Sequence, residues 1–388
     1  MLVPMQLWAD LVLLGASLLV LTFLPPALHY QKTAKLSKKH SSPSDHGYIP
    51  EITVFLPMRE ESQNAQRKID EIFSMKYPRE LIKLLIIDSD SKDGTFEIAN
   101  EYLQKEYPDY NFQVIRTKET GKSIAVNKAI DHIDTPYFVM MDSDSSCPPD
   151  SLRRIMQWFV DPLVGAVCAQ QSPTIGIKID PYRFRFNQIR SGESSLHSTP
   201  IFEGSLCAFR TTAIGENRVI SSINADDSQL AMIAISNGFR SIMDSELSFF
   251  DLNEKISRKR RVRRAQGLSR ALWANRRLRR MGKPIGNVIG HALYFHIFMP
   301  WLAVFSLISI FFSLLLASIS GTDYAKESLF ILVSFTFISS QINNNVKSLF
   351  SGISVLLESH VRLIFGQRLQ VWVPDRTSLL DQSEGVTK

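Results

Sequence analysis

Cysteine is scarce: Cys147, Cys168 and Cys207 are the only three in 388 residues, an odd number without the spacing of a disulfide framework or a zinc-ligand set. They read as free thiols in a reducing compartment. No internal repeat is visible, and linker-like sequence is confined to Lys35–Gly47, where Ser, Lys, Pro and Gly gather. Acidic residues are missing from Lys255 to Lys283, a stretch holding thirteen Lys or Arg. The first long apolar run has no basic segment before it and no small-residue cleavage site after it. It is therefore expected to persist as an anchor rather than to be removed as a signal peptide.

That run, Leu7 to Leu28, carries one charge, Asp10, and exceeds the roughly 20 apolar residues that cross a bilayer. Lys32, Lys35, Lys38 and Lys39 follow it, and lysines beside a span mark the cytoplasmic side. A second apolar region runs from Ile285 to Ser318 and a third from about Leu329 to Ser340, separated by the polar GTDYAKE. Val346–Phe365 is apolar on one side but holds Lys347, Glu358, His360 and Arg362, as in a surface-lying or re-entrant helix. The expected layout is a transmembrane helix over 1–30, a basic linker over 31–50 and a cytoplasmic domain over 51–254. A basic amphipathic interface segment over 255–284, two transmembrane helices over 285–345, and an amphipathic or re-entrant helix with a cytoplasmic tail over 346–388 complete it.

The net charge of +6 conceals this unevenness. Outside Lys255–Lys283 the bases number 31 (44 less 13) against 38 acids, so the basicity belongs to one stretch. Leu268, Leu272, Trp273 and Leu278 interleave with its arginines just before an apolar run, as in an anchor on anionic lipid. No nucleic-acid partner is expected.

Between residues 51 and 250, short apolar runs alternate with longer amphipathic ones. ITVFLP, LLIID, FQVIR, YFVMMD and VGAVCAQ have the length and composition of strands; ESQNAQRKIDEIF and GTFEIANEYLQKEY have helical periodicity. Such alternation implies parallel strands with crossover helices in an open α/β sheet, whose ligands bind beyond the carboxyl ends of the strands. Two runs end on acids destined for that edge, Asp88 and Asp142. Asp142-Ser143-Asp144 alone is either a turn or a pair of oxygen ligands. Ser89–Thr95 is a turn able to cap the next helix through Asp93 or Thr95. Gly121-Lys122 precedes a helix expected near Ile124, where an anion could be held.

Taken in order, these motifs resemble the family 2 glycosyltransferases over roughly residues 51–270. FLPMREES resembles the family's first strand and its Pro-x-Arg-Asn-Glu sequence, with Glu60 in place of Asn. IIDSDSKDGT resembles its nucleotide-contacting Asp-Asp-x-Ser-x-Asp-Gly-Thr, with Ser89 in place of the second acid. TGKSIAVN resembles Gly-Lys-x-x-Ala-x-Asn, DSD its metal-binding Asp-x-Asp, FEGSLCAFR an acceptor-side Gly-x-x-x-x-x-Arg, and NADDSQL its Glu-Asp-x-x-Leu helix. In RRVRRAQG, Arg260 and Arg263 occupy both outer positions of the Gln/Arg-x-x-Arg-Trp motif of membrane-embedded members, such as poly-N-acetylglucosamine and hyaluronan synthases and ceramide glucosyltransferases. Arg264 replaces the tryptophan that packs on their acceptor.

The resemblance implies a GT-A fold, the Rossmann-like open sheet of nucleotide-diphospho-sugar transferases, with transmembrane helices at both ends. It implies a nucleotide sugar held by Pro57, Arg59, Glu61, Asp88, Lys122, Asp142, Arg260 and Arg263, and Mg2+ or Mn2+ on Asp142 and Asp144. Gly204, Ser205, Asp226 and Arg264 face the acceptor. Asp227 is the catalytic base, or else an N-cap of a helix starting at Ser228. Hard cations use few carboxylates plus phosphate oxygens, which suits this set. The expected protein is an inverting, metal-dependent hexosyltransferase of the plasma membrane, with its catalytic domain in the cytoplasm among membrane lipids. It is expected to carry sugar from a UDP-sugar to a lipid or glycan acceptor. A processive polysaccharide synthase, a polyprenyl-phosphate sugar synthase and a non-catalytic membrane scaffold are the alternatives.

Overall fold

The structure, a computed structural model, describes residues 5–39, 42–172, 181–252, 257–319 and 344–369. The apolar runs become strands buried on both faces, which is why they lack a polar alternation. β1 (Ile52–Met58), β2 (Ile82–Ser89) and β4 (Tyr137–Met141) are almost wholly buried, and β3 (Phe112–Thr117) flanks β2. Side chains alternate between two cores, as strand geometry requires. Val54, Leu56, Leu84 and Ile86 meet helices α2 (Ala65–Ser74), α3 (Thr95–Glu106) and α5 (Ser151–Gln157). Phe55, Leu85 and Ile87 meet α4 (Lys122–Ile130), α7 (Thr211–Ile214) and α8 (Asp226–Ser236).

With β5 (Ser145–Ser146), β6 (Val164–Gln171), β7 (Leu206–Arg210) and β8 (Arg240–Asp251), the sheet order is β3-β2-β1-β4-β7-β6-β8-β5. It is mixed, not parallel throughout as expected: β7 runs antiparallel to β4 and β6, and β5 antiparallel to β8. The C-terminal end of α6 (Pro181–Leu196) lies beside the start of β8, where the Ser194 hydroxyl accepts from the Met243 amide at 2.9 Å, and β7 is then entered from the carboxyl edge, with Leu206 opposite Met141. Residues 203–205 consequently share one edge with Asp88, Asp142 and Asp251.

Two helical stretches, Asp10–Ser37 and Ile285–Ile319, are long and apolar enough to cross a membrane by length and composition. The first belongs to α1 (Met5–Ser37). The second joins α10 (Ile285–Leu293) to α11 (Met299–Ile319) through a π-helical turn, Tyr294–Phe298. Ser306 and Ser309 of α11 donate to the Gly15 and Leu11 carbonyls at 3.0 and 2.8 Å, pinning α11 to α1. The linker expected to start at residue 31 starts later, because α1 continues to Ser37. Contacts with α6 hold this extension, including the Tyr30 hydroxyl donating to Gln188 at 2.7 Å. The third apolar region, about 329–340, lies outside the described residues.

The basic stretch forms α9 (Arg258–Ala274), capped by the Ser257 hydroxyl, which accepts from the Arg260 amide at 3.2 Å. It buries Val262, Ala271 and Leu272 while Trp273 is half exposed. The ambiguous segment is a helix, α12 (Asn344–Ile364), joined to α9 by Arg258–Glu358 at 2.8 Å and by Arg261 donating to Ser351 at 3.1 Å.

At Gly192 of α6, a Cβ would stand 2.1 Å from the Thr33 carbonyl oxygen of α1. Gly192→Ala should therefore separate these helices, lowering Tm by several degrees on an overpacking cost of about 1–3 kcal/mol. Gly282→Ala, where nothing lies within 4 Å, should be neutral. Thermal melts and protease cleavage of α1 read both.

Candidate active site

The Asp142-Ser143-Asp144 segment leaves β4 as a turn whose backbone is held from below. Lys68 of α2, fully buried, donates to the Ser145 carbonyl at 3.1 Å and pairs with Glu71 at 2.9 Å. The Ser145 hydroxyl donates to the Asp142 carbonyl at 3.0 Å. The carboxylates are left to the cleft. Lys122 Nζ is 2.7 Å from Asp142 Oδ1, and the Ser205 hydroxyl donates to Asp142 Oδ2 at 3.2 Å. Arg260 of α9 reaches Asp144 at 3.4 Å. Burial alone would raise the Asp142 pKa, but the Lys122 ammonium outweighs it and holds the carboxyl below its ordinary value. Burial would likewise lower Lys122; Asp142 and Asp226 reverse that and push it up.

Lys122 opens α4, which begins two residues before the expected start near Ile124. Across the cleft, α8 begins at Asp226 after Ala225, whose φ of 76° and ψ of 48° are left-handed. Asp227 thus lies in the first turn and is not the N-cap; its Oδ1 accepts from the Ser228 amide at 2.8 Å. Burial, reinforced by the charge of Asp226, pushes Asp227 up to about 7. Asp226 Oδ2 is buried without a hydrogen-bond partner among the described residues, 3.7 Å from Lys122. Gly204 faces both groups: a Cβ there would lie 3.2 Å from Lys122 Nζ and 3.3 Å from Asp227 Oδ2. The Ser228 hydroxyl accepts from the Phe202 amide at 3.1 Å, tying this loop to α8. Behind the turn, Asn224 Nδ2 donates to the Leu369 carbonyl at 3.0 Å.

Glu61 is raised to about 7 by burial, with the Asp144 and Asp142 charges adding to it. Asp251 is raised to about 6 by burial and by the same two aspartates, against the pull of Arg264 and Arg260. All these donors are oxygens, and their like charges oppose one another. A hard divalent cation on Asp142 and Asp144 relieves that opposition, so the residues fit the expected Mg2+ or Mn2+.

The nucleotide-side candidates lie farther along the edge. Asp88 pairs in register with Met58 and Arg116. Its Oδ2 accepts from the Ser91 amide at 3.2 Å and from Arg116 at 3.3 Å, while Oδ1 is buried without a hydrogen-bond partner among the described residues. Arg59, two residues beyond Pro57, also buries Nε and Nη1 without hydrogen-bond partners among the described residues. The Ser89–Thr95 turn laces this region: Glu60 accepts from the Lys92 amide at 2.7 Å, and Thr95 accepts from the Glu61 amide at 2.8 Å. Asp93 accepts from the Thr95 amide at 3.1 Å, while the N-cap itself is Gly94, at φ 84°. Arg263 and Arg264 follow Arg260 on α9, with Arg264 contributing to the fields at Asp142 and Asp251.

Two groups escaped the sequence reading. Glu203 accepts from Arg190 at 2.7 Å, Arg183 at 3.2 Å and the Gln171 amide at 3.1 Å. Asp251 accepts from Gln171 Nε2 at 2.7 Å. Asp251 ends the apolar LSFFD run, the same signal that exposed Asp88 and Asp142. Arg210, the last residue of the Gly-x-x-x-x-x-Arg segment, is structural, donating to the Val164, Phe159 and Asp161 carbonyls.

Residues 53–217 match Glycosyl transferase family 2, and residues 137–339 match Glycosyl transferase family group 2, more than half of the chain. A mannosyltransferase from Pyrobaculum calidifontis, solved in complex with GDP-Man and Mn2+, superposes with a TM-score of 0.79 at 25% identity, over 92% of this chain and 99% of that one. A beta-monoglucosyldiacylglycerol synthase from Synechocystis is 26% identical over 121 residues, 30% of this chain and 25% of that protein. A dolichol-phosphate mannosyltransferase from Pyrococcus furiosus is 32% identical over 107 residues, 27% of this chain and 29% of that protein. The matches thus span between a quarter and a third of the length of these two curated relatives.

A carboxyl raised from 3.8 to about 7 adds stability that is full below the ordinary aspartate pKa and is lost as pH rises through about 7. Asp227→Asn should therefore raise Tm at pH 8 by about 3 °C or more and leave it nearly unchanged at pH 4. Melts in EDTA check this.

Proposed function

This chain belongs to the glycosyl transferase family group 2, and from that premise we propose that it moves one sugar, with inversion, from a nucleotide-sugar donor to the hydroxyl of a membrane lipid. The fold is of the GT-A type and the protein is a glycosyltransferase. The observation that carries the finer reading is the convergence at Gly204, where Asp227, Lys122 and, through it, Asp142 meet around a gap left by a missing side chain.

Asp227, with its pKa raised to about 7, takes the proton from the acceptor hydroxyl near neutrality. The oxygen attacks the anomeric carbon as the bond to the diphosphate breaks, and a single displacement inverts the configuration. Lys122 stands where charge builds on the departing diphosphate, and Arg260 and Arg263 supply guanidinium groups suited to bidentate phosphate binding. A divalent cation on Asp142 and Asp144, when bound, neutralises diphosphate charge. Asp88 and Arg59 hold the nucleoside end with buried atoms that have no partner among the described residues. Asp226, Ser205 and Arg264 line the acceptor side.

The lipid acceptor is supported by α1 and α11, which expose Leu13, Leu14, Val20, Leu21, Phe305 and Phe312, as helices facing hydrocarbon do. Lys32, Lys35, Lys38 and Lys39, which follow the apolar run of α1, orient the catalytic domain to the cytoplasm, at the plasma membrane. The names of the relatives, a diacylglycerol glycosylating enzyme and a dolichol-phosphate transferase, point to lipid acceptors too. The motif reading favours a UDP-sugar, and the GDP-Man complex of the structural relative adds GDP-mannose to the donors to be tried.

Nucleotide release from a donor panel, with Mg2+ or Mn2+ and with or without membrane lipid extract, tests the reading. One donor should turn over faster with lipid and leave label in the organic phase; label in an aqueous polymer would identify a polysaccharide synthase instead. Asp144→Asn and Asp227→Asn should each lower kcat by roughly a hundredfold or more. The wild-type log kcat should rise with unit slope up to about pH 7 and then level off. Substantial turnover in both variants would remove the assigned roles.

A further inference from the structure

Away from the cleft, three elements distant in sequence meet: α1, α6 and α10. Gly192 lets α6 approach α1 at Thr33. Beside it, His29 Nε2 of α1 lies 3.0 Å from Glu193 Oε1 of α6, with side chains 13% and 4% exposed. The His291 ring of α10 stacks on His29, with centroids 3.6 Å apart and an interplanar angle of 10°. One ligand atom from each of the three lies within 4.8 Å of the others. The second oxygen of Glu193 accepts from the Thr199 hydroxyl at 2.8 Å. The His29–Glu193 bond accounts for two of these side chains but not for His291, whose Nε2 is buried without a hydrogen-bond partner among the described residues. Protein interiors seldom leave such an atom unsatisfied.

We infer that His29, Glu193 and His291 form a site for a zinc-type divalent ion that clips α1 to the catalytic domain. Two imidazoles and a carboxylate are the protein ligands of a recurrent class of zinc site. Bonds of about 2.0–2.1 Å in a tetrahedral site place ligand atoms roughly 3.4 Å apart, close to the present His29–Glu193 separation. An ion lies near the plane of each ring that binds it, and stacked rings share no plane. Binding therefore turns His291 out of the stack, which also satisfies its buried nitrogen. Thr199 orients the carboxylate in the way outer partners orient metal ligands. Imidazole nitrogens favour Zn2+ or Co2+ over Mg2+, whereas Asp142 and Asp144 offer only oxygen. The two sites thus differ in selectivity, and a clip joining residues so far apart in sequence restrains long stretches of chain.

Co2+ is the probe, titrated into the tag-free, full-length protein in detergent with excess Mg2+ to occupy the oxygen site. About one Co2+ per chain should bind, with visible absorption of nitrogen-ligated cobalt. Affinity should fall at least tenfold in His291→Gln and Glu193→Gln and roughly tenfold in Thr199→Val, and be unchanged in Asp144→Asn. Zn2+ should raise the wild-type Tm and leave that of His291→Gln unmoved. Absence of cobalt uptake by the wild type overturns the inference even if a variant fails to fold. Uptake that survives in His291→Gln, or that disappears in Asp144→Asn, overturns it as well. The readout is metal binding, so the result is independent of whether the proposed transfer reaction is correct.

Discussion

The ammonium of Lys122, 2.7 Å from Asp142 and 3.7 Å from Asp226, makes it possible for carboxylates from four different parts of the chain to share one cleft. Unit charges about 4 Å apart interact by roughly 4 kcal/mol at the effective dielectric near a protein surface, so an acidic cluster without cations would protonate or open. The lysine is placed by α4, the aspartates by the end of β4 and the start of α8, and α9 adds Arg260 and Arg264. Sheet, helices and basic segment are thereby answerable to one electrostatic constraint. The same balance separates the acids into classes: Asp142, beside the ammonium, is held low, while Asp227, Glu61 and Asp251 are pushed upward.

Most of the sheet was legible because its strands are short, apolar and punctuated by acids. Asp88 and Asp142 could be placed on one edge from chain order alone; Lys122 stood out as a lysine at a helix start, and Asp227 was singled out by the resemblance of its motif. The direction of β7 was not legible, because nothing local in LCAFR says from which edge a strand enters. Glu203 was hidden for a related reason: its partners Arg183 and Arg190 stand on a preceding helix, and no spacing rule connects them. Asp251 carried a usable signal at the end of β8, but the long, register-shifted pairing with β6 weakened the strand pattern.

The N-terminal helix shows tertiary contacts overriding local sequence. Pro25 and Pro26 lie inside α1, and the lysines after Tyr30 look like linker, yet the helix runs to Ser37. Proline in a helix interior removes a hydrogen bond and clashes with the preceding turn. Packing on α6 and α11 offsets that loss, and none of those contacts is visible in a window of local sequence.

The left-handed backbone at Ala225 ties the proposed base to a remote part of the chain. An L-residue with a Cβ is disfavoured there by about 1–2 kcal/mol, so the turn persists only where its neighbours over-determine it. Asn224 does this from one side through the Leu369 carbonyl, and Gly267 from another, since any Cβ there would collide with Asn224. The orientation of Asp227 is thus a property of three segments that meet at Asn224 and lie far apart in sequence. The spring that aims the carboxylate is wound in part by a carbonyl 145 residues downstream of Asn224.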